Sequence, residues 1–278
     1  MLEKIEIIYM GFSLEVLEKL LKSEKFDIKY IICPAHRITK EIIIFSEQYK
    51  IKLELVKNTE EIEEIIYTKV ENIKNILMYK FDYIINSNIL KNINVYNIHP
   101  GSLNENRGRN PIERVLLKGE KTTEITLYKI SSKIDLGEIV SKKIINIGIK
   151  DCSKKIEKKI NKKLDKLIIE LYKFITDNKI GNIIENGIYY NPINPIDYTI
   201  NYLSDTIAEI YNKIRTQKNY NGAIINIENK EYRIKKLLDI KINNIYKEKR
   251  ILEIEGRKVY IEIEQYILII LLRREKNE

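Results

Sequence analysis

The sequence predicts an α/β chain: an open, mostly parallel sheet with flanking helices, followed by a smaller β-rich C-terminal domain. Two observations carry this. Strand-like and helix-like periodicities alternate through the first half, and short β-rich runs separated by turn residues fill the end. Lys4–Met10, Asp27–Cys33, Ile51–Val56 and Phe81–Ile85 read as strands, whereas Leu14–Leu21, Ile42–Tyr49 and Glu60 to about Met78 carry apolar residues at helical spacing. Such alternation requires parallel strands joined by right-handed crossovers, a Rossmann-like order in which ligands bind beyond the carboxyl ends of the strands. The turn after the first strand is Gly11-Phe12-Ser13 rather than G-x-G-x-x-G, and no G-x-x-x-x-G-K-[ST] occurs, so dinucleotide and P-loop sites lose support.

The remaining elements follow in order. Val95–His99 is an extended segment, Pro111 opens a helix through Leu117, and Thr123–Ile130 is the next strand. Beyond Cys152 a long charged helix runs to about Asp177, and the stretch after it, with Pro192 and Pro195, reads as a connector. A helix from Leu203 to about Arg215 then leads into strands at Gly222–Ile227, Tyr232–Ile240, Ile251–Ile254 and Lys258–Ile263 and a final apolar run, Tyr266–Leu272. The expected organisation is a catalytic domain over 1–180, a connector over 181–201 and a small, mostly β domain over 202–278.

Composition bounds the chemistry. With 278 residues, 44% hydrophobic, 32% charged and only 5 Pro and 10 Gly, the chain is globular. Its 49 Lys and Arg exceed 40 Asp and Glu, a net charge of +9 that suits an anionic partner, but saturation with Ile, Lys, Asn and Tyr discounts bulk charge as a signal. Two cysteines, Cys33 and Cys152, offer neither metal-ligand spacing nor a disulfide framework and fit a reducing compartment. No signal-like start and no window of uninterrupted membrane-spanning hydrophobicity is found, so the expected location is cytoplasmic, with no membrane partner.

Only two histidines exist. His36 forms a C-x-x-H pair with Cys33, but zinc needs two further ligands and no matching pair occurs, which leaves His36 as a loop residue. His99 lies in Val95-Tyr96-Asn97-Ile98-His99-Pro100-Gly101, where strand alternation puts Asn97 and His99 on one face, an amide and an imidazole converging at a strand end. The loop Asn106-Arg107-Gly108-Arg109-Asn110-Pro111 sets two arginines before a helix, a setting for an anion, or simply a solvated face. A turn at Asp135 then presents a carboxylate, unless Asp135 and Asn97 are plain turn formers.

Together, N-x-H-P-x-x-L at 97–103, R-G-x-x-P-I at 107–112 and I-D-x-G-[DE]-I-V at 134–140 closely resemble the formyltransferases that use 10-formyltetrahydrofolate. The family's catalytic Asn, His and Asp map onto Asn97, His99 and Asp135. Met10 to Leu17 and Cys33 to Arg37 resemble its first strand–helix entry and second strand end, and Ile196-Asp197-Tyr198, Ile214-Arg215 and Tyr220-Asn221-Gly222-Ala223 resemble signals of its C-terminal part. The resemblance implies 10-formyltetrahydrofolate as co-substrate and no metal, with folate contacts at Ile85, Asn86, Ser87 and Asp135. An amide and a protonated imidazole can donate to a tetrahedral oxyanion, while Asp135 orients His99 and helps move the proton; His99 can alternatively act as base.

Three branches of the family compete for the acceptor. The loop at 106–111 resembles the N-R-G-R-N-P of sugar N-formyltransferases, which act on the amino group of a nucleotide-linked amino sugar, and this implies acceptor contacts at Ser102, Arg107, Gly108, Arg109 and Asn110. Arg107 can equally brace the loop. Methionyl-tRNA formyltransferases would explain the basic charge but carry small residues where Arg109 and Asn110 stand, so tRNA is the less favoured partner. Glycinamide ribonucleotide formyltransferases are generally shorter. Asn104 replaces the family's usual proline and Glu105 an expected aromatic. A non-catalytic binding subunit is the remaining alternative, and a homodimer through the C-terminal domain is the default assembly.

Overall fold

The structure, a computed structural model, describes residues 4–70, 72–131 and 136–274, with side chains except at 244–247. Five parallel strands form the first part of the main sheet: β1 (Ile5–Gly11), β2 (Phe26–Pro34), β3 (Lys52–Val56), β4 (Asn75–Tyr79) and β5 (Asn94–His99). A two-residue strand β6 (Arg107–Gly108) follows, and then β7 (Thr122–Ile130), β8 (Gly137–Asn146) and β9 (Asn182–Ile184). The main sheet has the order β3-β2-β1-β4-β5-β7-β8-β9, with β7 antiparallel to β5 and β9 antiparallel to β8. This is the expected α/β class.

Helices α1 (Leu14–Lys22), α2 (Lys40–Gln48), α3 (Thr59–Thr68) and α4 (Ser87–Leu90) lie in the crossovers between parallel strands. Each of the first three buries one apolar stripe, such as Val16, Leu17 and Leu20 in α1, and α3 starts where the Asn58 side chain accepts from the Glu61 N–H. Strands β1, β2, β4 and β5 contribute Ile8, Met10, Ile32, Ile76, Met78 and Val95 to one continuous buried cluster. Later helices are α5 (Pro111–Leu117), α6 (Ser153–Asn161), α7 (Leu164–Thr176) and α8 (Ile207–Gln217). The final strands are β10 (Tyr189–Tyr190), β11 (Thr199–Ile200), β12 (Ile224–Ile227), β13 (Lys230–Glu255) and β14 (Lys258–Leu272).

Two compact units interleave along the chain. One comprises 1–108, 124–145 and 159–190 and holds the main sheet; the other comprises 109–123, 146–158 and 191–278. In the second, β11-β12-β13-β14 form a small sheet over a core of Ile210, Ile214, Ile225, Ile261, Leu268 and Ile270. Its α8 begins with a capping box, in which Thr206 and Glu209 satisfy each other's backbone N–H.

Four elements differ from the sequence-based expectation. The helix expected to about Met78 ends at Thr68, Asn72 takes a left-handed φ of 65°, and Asn75–Tyr79 is a strand. Ile62, Ile65 and Ile66 continue into Val70 and Ile73 at helical spacing, so periodicity alone could not show where one element stopped. Consequently Phe81–Ile85, expected as a strand, is the loop leaving the carboxyl end of β4; its Phe81 and Tyr83 rings still pack on the core. The long helix after Cys152 breaks at 162–163 into α6 and α7. The short strands expected at the end are parts of β13 and β14, which run as one hairpin through Gly256 (φ +58°) and stay paired by means of several register shifts.

Candidate active site

Asn97 and His99 sit on one face at the carboxyl end of β5, facing Tyr128 and Thr126 across the antiparallel register. The Asn97 Nδ2 donates to the Tyr128 hydroxyl at 3.1 Å, and Tyr128 is buried in β7. An amide nitrogen has two protons. One is aimed at Tyr128, and among the described residues the other has no acceptor. The amide is therefore held in one orientation with a donor to spare.

His99 is 5% exposed, and its Nε2 lies 2.8 Å from the backbone carbonyl oxygen of Asn106. A carbonyl only accepts, so Nε2 bears a proton and donates; in the neutral ring Nδ1 is the atom that takes up a proton. Asp135, the third expected member, lies outside the described residues.

The loop after β5 is held by its own backbone and by a second segment of the same unit. Asn106 N–H donates to the Ser102 carbonyl at 2.8 Å, and Thr126 Oγ1 donates to the Gly101 carbonyl at 2.9 Å. Residues 187–190 then strap the loop: Ile188 N–H donates to the Asn104 carbonyl at 2.8 Å, Arg107 N–H donates to the Ile188 carbonyl at 3.0 Å, and β10 pairs with β6. The Arg107 guanidinium donates to the Gly187 carbonyl at 3.0 Å and lies 5.8 Å from the Tyr189 ring centre. Gly108 has φ +93°, and a Cβ there would come within 2.4 Å of the Tyr190 carbonyl oxygen, so only glycine lets the two segments pair. Of the expected acceptor residues, Ser102, Arg107 and Gly108 stand in this strapped loop. Arg109 is exposed, and Asn110, left-handed at φ 59°, leads into α5 and accepts from Ile193 N–H at 3.3 Å.

At the expected folate contacts, Ile85 is buried, the Asn86 side chain caps α4 by accepting from Asn88 N–H at 3.1 Å, and Ser87 donates to Asn86. What these positions offer a ligand is chiefly backbone. The strand order reverses between β1 and β4, and the junction there is closely built. Tyr9 Oη accepts from Ser13 N–H at 3.0 Å and donates to the Tyr79 carbonyl at 3.4 Å; burial pushes its phenol far above the ordinary value, so it remains a neutral donor. A Cβ on Gly11 would stand 2.1 Å from the Tyr79 carbonyl oxygen.

Sequence reasoning missed Tyr128 and the 187–190 strap. Tyr128 could have been found by aligning Thr123–Ile130 antiparallel to Val95–His99, which sets it opposite Asn97. The strap has no signal beyond Gly187, because its bonds are main-chain. Among the described residues no group of three or more His, Cys, Asp or Glu could hold a metal ion, and no helix is long and apolar enough to cross a membrane.

Comparison with known proteins agrees with this architecture. Over 177 residues the chain is 31% identical to the bifunctional polymyxin resistance protein ArnA of Wigglesworthia glossinidia brevipalpis, covering 61% of this chain but only 27% of that protein. It is 26% identical over 263 residues to the methionyl-tRNA formyltransferase of Caldicellulosiruptor saccharolyticus, covering 87% of this chain and 82% of the relative. A solved N-formyltransferase from Helicobacter canadensis, in complex with folinic acid and dTDP-3-aminofucose, shares the fold with a TM-score of 0.69 at 18% identity, covering 97% of this chain and 100% of that one. Residues 20–171 match the model of the formyl transferase family and residues 192–277 that of the formyl transferase C-terminal domain, and the chain belongs to this family.

Proposed function

We propose that the protein transfers a formyl group from 10-formyltetrahydrofolate to the amino group of a nucleotide-linked amino sugar. The observation that carries the reading is the Asn97–His99 pair at the end of β5, followed in the chain by a loop that reads Asn-Arg-Gly-Arg-Asn-Pro. The folate supplies an activated formyl carbon. The segment 85–87, at the mouth of the sheet, offers chiefly backbone donors and acceptors to the flat pterin.

This chain's residues then do three things. The remaining Asn97 amide proton stabilises the oxygen that becomes negative as the amine adds to the formyl carbon. His99, fixed through Nε2, exchanges a proton at Nδ1, as oxyanion donor when protonated and as base when neutral. Asp135, by family resemblance, orients His99 and relays the proton released by the amine to the folate nitrogen, whose bond to the formyl carbon breaks as the tetrahedral intermediate collapses. Burial of His99 excludes bulk water from this exchange.

A second reading, formylation of the amino group of methionyl-tRNA, is favoured by the methionyl-tRNA formyltransferase relative that spans most of the chain. The test is an assay of formyl transfer to dTDP- and UDP-linked amino sugars and to initiator methionyl-tRNA. Turnover of a nucleotide sugar supports the first reading; turnover of the tRNA alone overturns it. Retained transfer in His99→Ala would instead favour a non-catalytic role for this centre. The same reading puts the chain in the cytoplasm, where the buried free thiols Cys33 and Cys152 stay reduced. It also includes a homodimer through the β13–β14 hairpin, whose Ile240, Ile242 and Ile254 are exposed, checked by sedimentation.

A further inference from the structure

A compact group of charges and rings lies at the carboxyl ends of β1, β2 and β4, away from Asn97 and His99. Asp82, in the loop after β4, accepts on one oxygen from both His36 Nε2 at 2.9 Å and Arg37 Nε at 2.8 Å. The Arg37 guanidinium lies 5.2 Å from the centre of the Phe12 ring, and His36 meets the Tyr83 ring edge-on at 6.4 Å. Tyr83 in turn packs edge-on against Phe81 at 5.8 Å. Asp82 and Phe12 therefore fix the plane of an arginine that remains half exposed.

The engaged atom is Nε. Among the described residues nothing accepts from the two Nη atoms of Arg37, nor does anything partner Nδ1 of His36. A guanidinium held by its Nε, with both terminal amines presented, is the preorganised half of a bidentate phosphate contact. Asp82 does not cancel it, because its charge is shared between two cationic or donor groups. Phe12, at the turn after β1, and Tyr83 add faces on which a planar base can stack.

Position decides which anion this is. Because β2, β1, β4 and β5 are adjacent and parallel, Arg37 and the Asn97–His99 pair lie on the same edge of the sheet, three strand spacings apart, about 14 Å. An extended nucleotide sugar covers this distance from its pyranose amine to its nucleoside with the diphosphate between, and the long Arg37 side chain can reach back along the sheet edge to that diphosphate. The reversal of strand order between β1 and β4 lies along the path, where open α/β sheets receive ligands.

We infer that Arg37, held by Asp82 over Phe12, docks the diphosphate of the acceptor nucleotide, with His36 and Tyr83 beside the nucleoside. This rests on the nucleotide-sugar reading above. The experiment is isothermal titration of the full chain with dTDP, UDP and GDP, and separately with folinic acid, for the wild type, Arg37→Ala and Arg37→Lys. The expected result is tenfold or greater weakening of the preferred nucleoside diphosphate in Arg37→Ala, only partial recovery in Arg37→Lys, and unchanged folinic acid affinity. Undiminished diphosphate binding by Arg37→Ala overturns the inference and leaves the nucleotide-sugar reading intact. Weakening of folinic acid alone overturns it by assigning the cluster to the folate tail. A wild type that binds none of the three diphosphates removes the reading itself, and the inference with it.

Discussion

Replacing Tyr128 with Phe removes one hydroxyl from a buried strand position and tests how the centre is built. The hydroxyl accepts from Asn97 Nδ2 at 3.1 Å. A net hydrogen bond of this kind contributes about 1 kcal/mol to stability, and half-buried Asn97 can recruit water, so no full desolvation penalty is added. For a chain of this size that lowers Tm by roughly 2–4 °C. The larger consequence is catalytic. On the proposed mechanism Asn97 keeps its proton for the oxyanion but loses the contact that aims it, so kcat should fall about tenfold, near 1.4 kcal/mol, with folinic acid affinity unchanged. Asn97→Ala should cost about a hundredfold, and adding Tyr128→Phe to it should cost nothing more, a coupling of about 1.4 kcal/mol in a double-mutant cycle. Tyr128→Phe at wild-type kcat, or losses that multiply in the double variant, would refute the orienting role.

The strap and the Asp82 cluster give further expectations. Gly108→Ala drives a Cβ into the Tyr190 carbonyl oxygen at 2.4 Å with φ +93°, so melting temperature and formyl transfer should both fall, whereas Gly148→Ala, whose nearest neighbour is a side-chain oxygen at 3.5 Å, should change neither. Arg107→Ala loses a charged hydrogen bond to Gly187 and the Tyr189 contact, and should destabilise by about 1.5–3 kcal/mol in denaturant melts. Burial alone would raise the Asp82 carboxyl, but the Arg37 and His36 hydrogen bonds outweigh it and hold it below the usual range. Its stabilising contribution is thus complete above about pH 4 and is lost as pH falls through the lower folded value. The Tm advantage of wild type over Asp82→Asn should accordingly be greatest near neutrality and close in acid; a constant gap would contradict this.

The strand part of the candidate site was legible because strands report their own geometry. Asn97 and His99 are two residues apart in an apolar run, so a single extended segment puts both on one face whatever surrounds it. Pro111 at the start of α5 and the capping pair Thr206 and Glu209 are equally local. The alternation of periods specified parallel β1, β2 and β3, because helices between them leave no other connection. The boundary between α3 and β4 was not legible, since Ile62 to Ile73 satisfies a helical repeat that only the left-handed turn at Asn72 interrupts.

What the tertiary structure alone decided are contacts between residues far apart in the chain. Tyr128 reaches Asn97 across 31 positions, Gly187 meets Arg107 across 80, and Asp82 meets His36 and Arg37 across more than 40. Side-chain spacing cannot encode these, because they arise when packing sets one strand or loop against another and main-chain groups must find partners there. The sequence by itself determined the sheet class, the family and the two residues at the end of β5. Which side chain aims the amide, what straps the loop after β5 and which arginine is left with its terminal amines presented were settled by the packing of the folded chain.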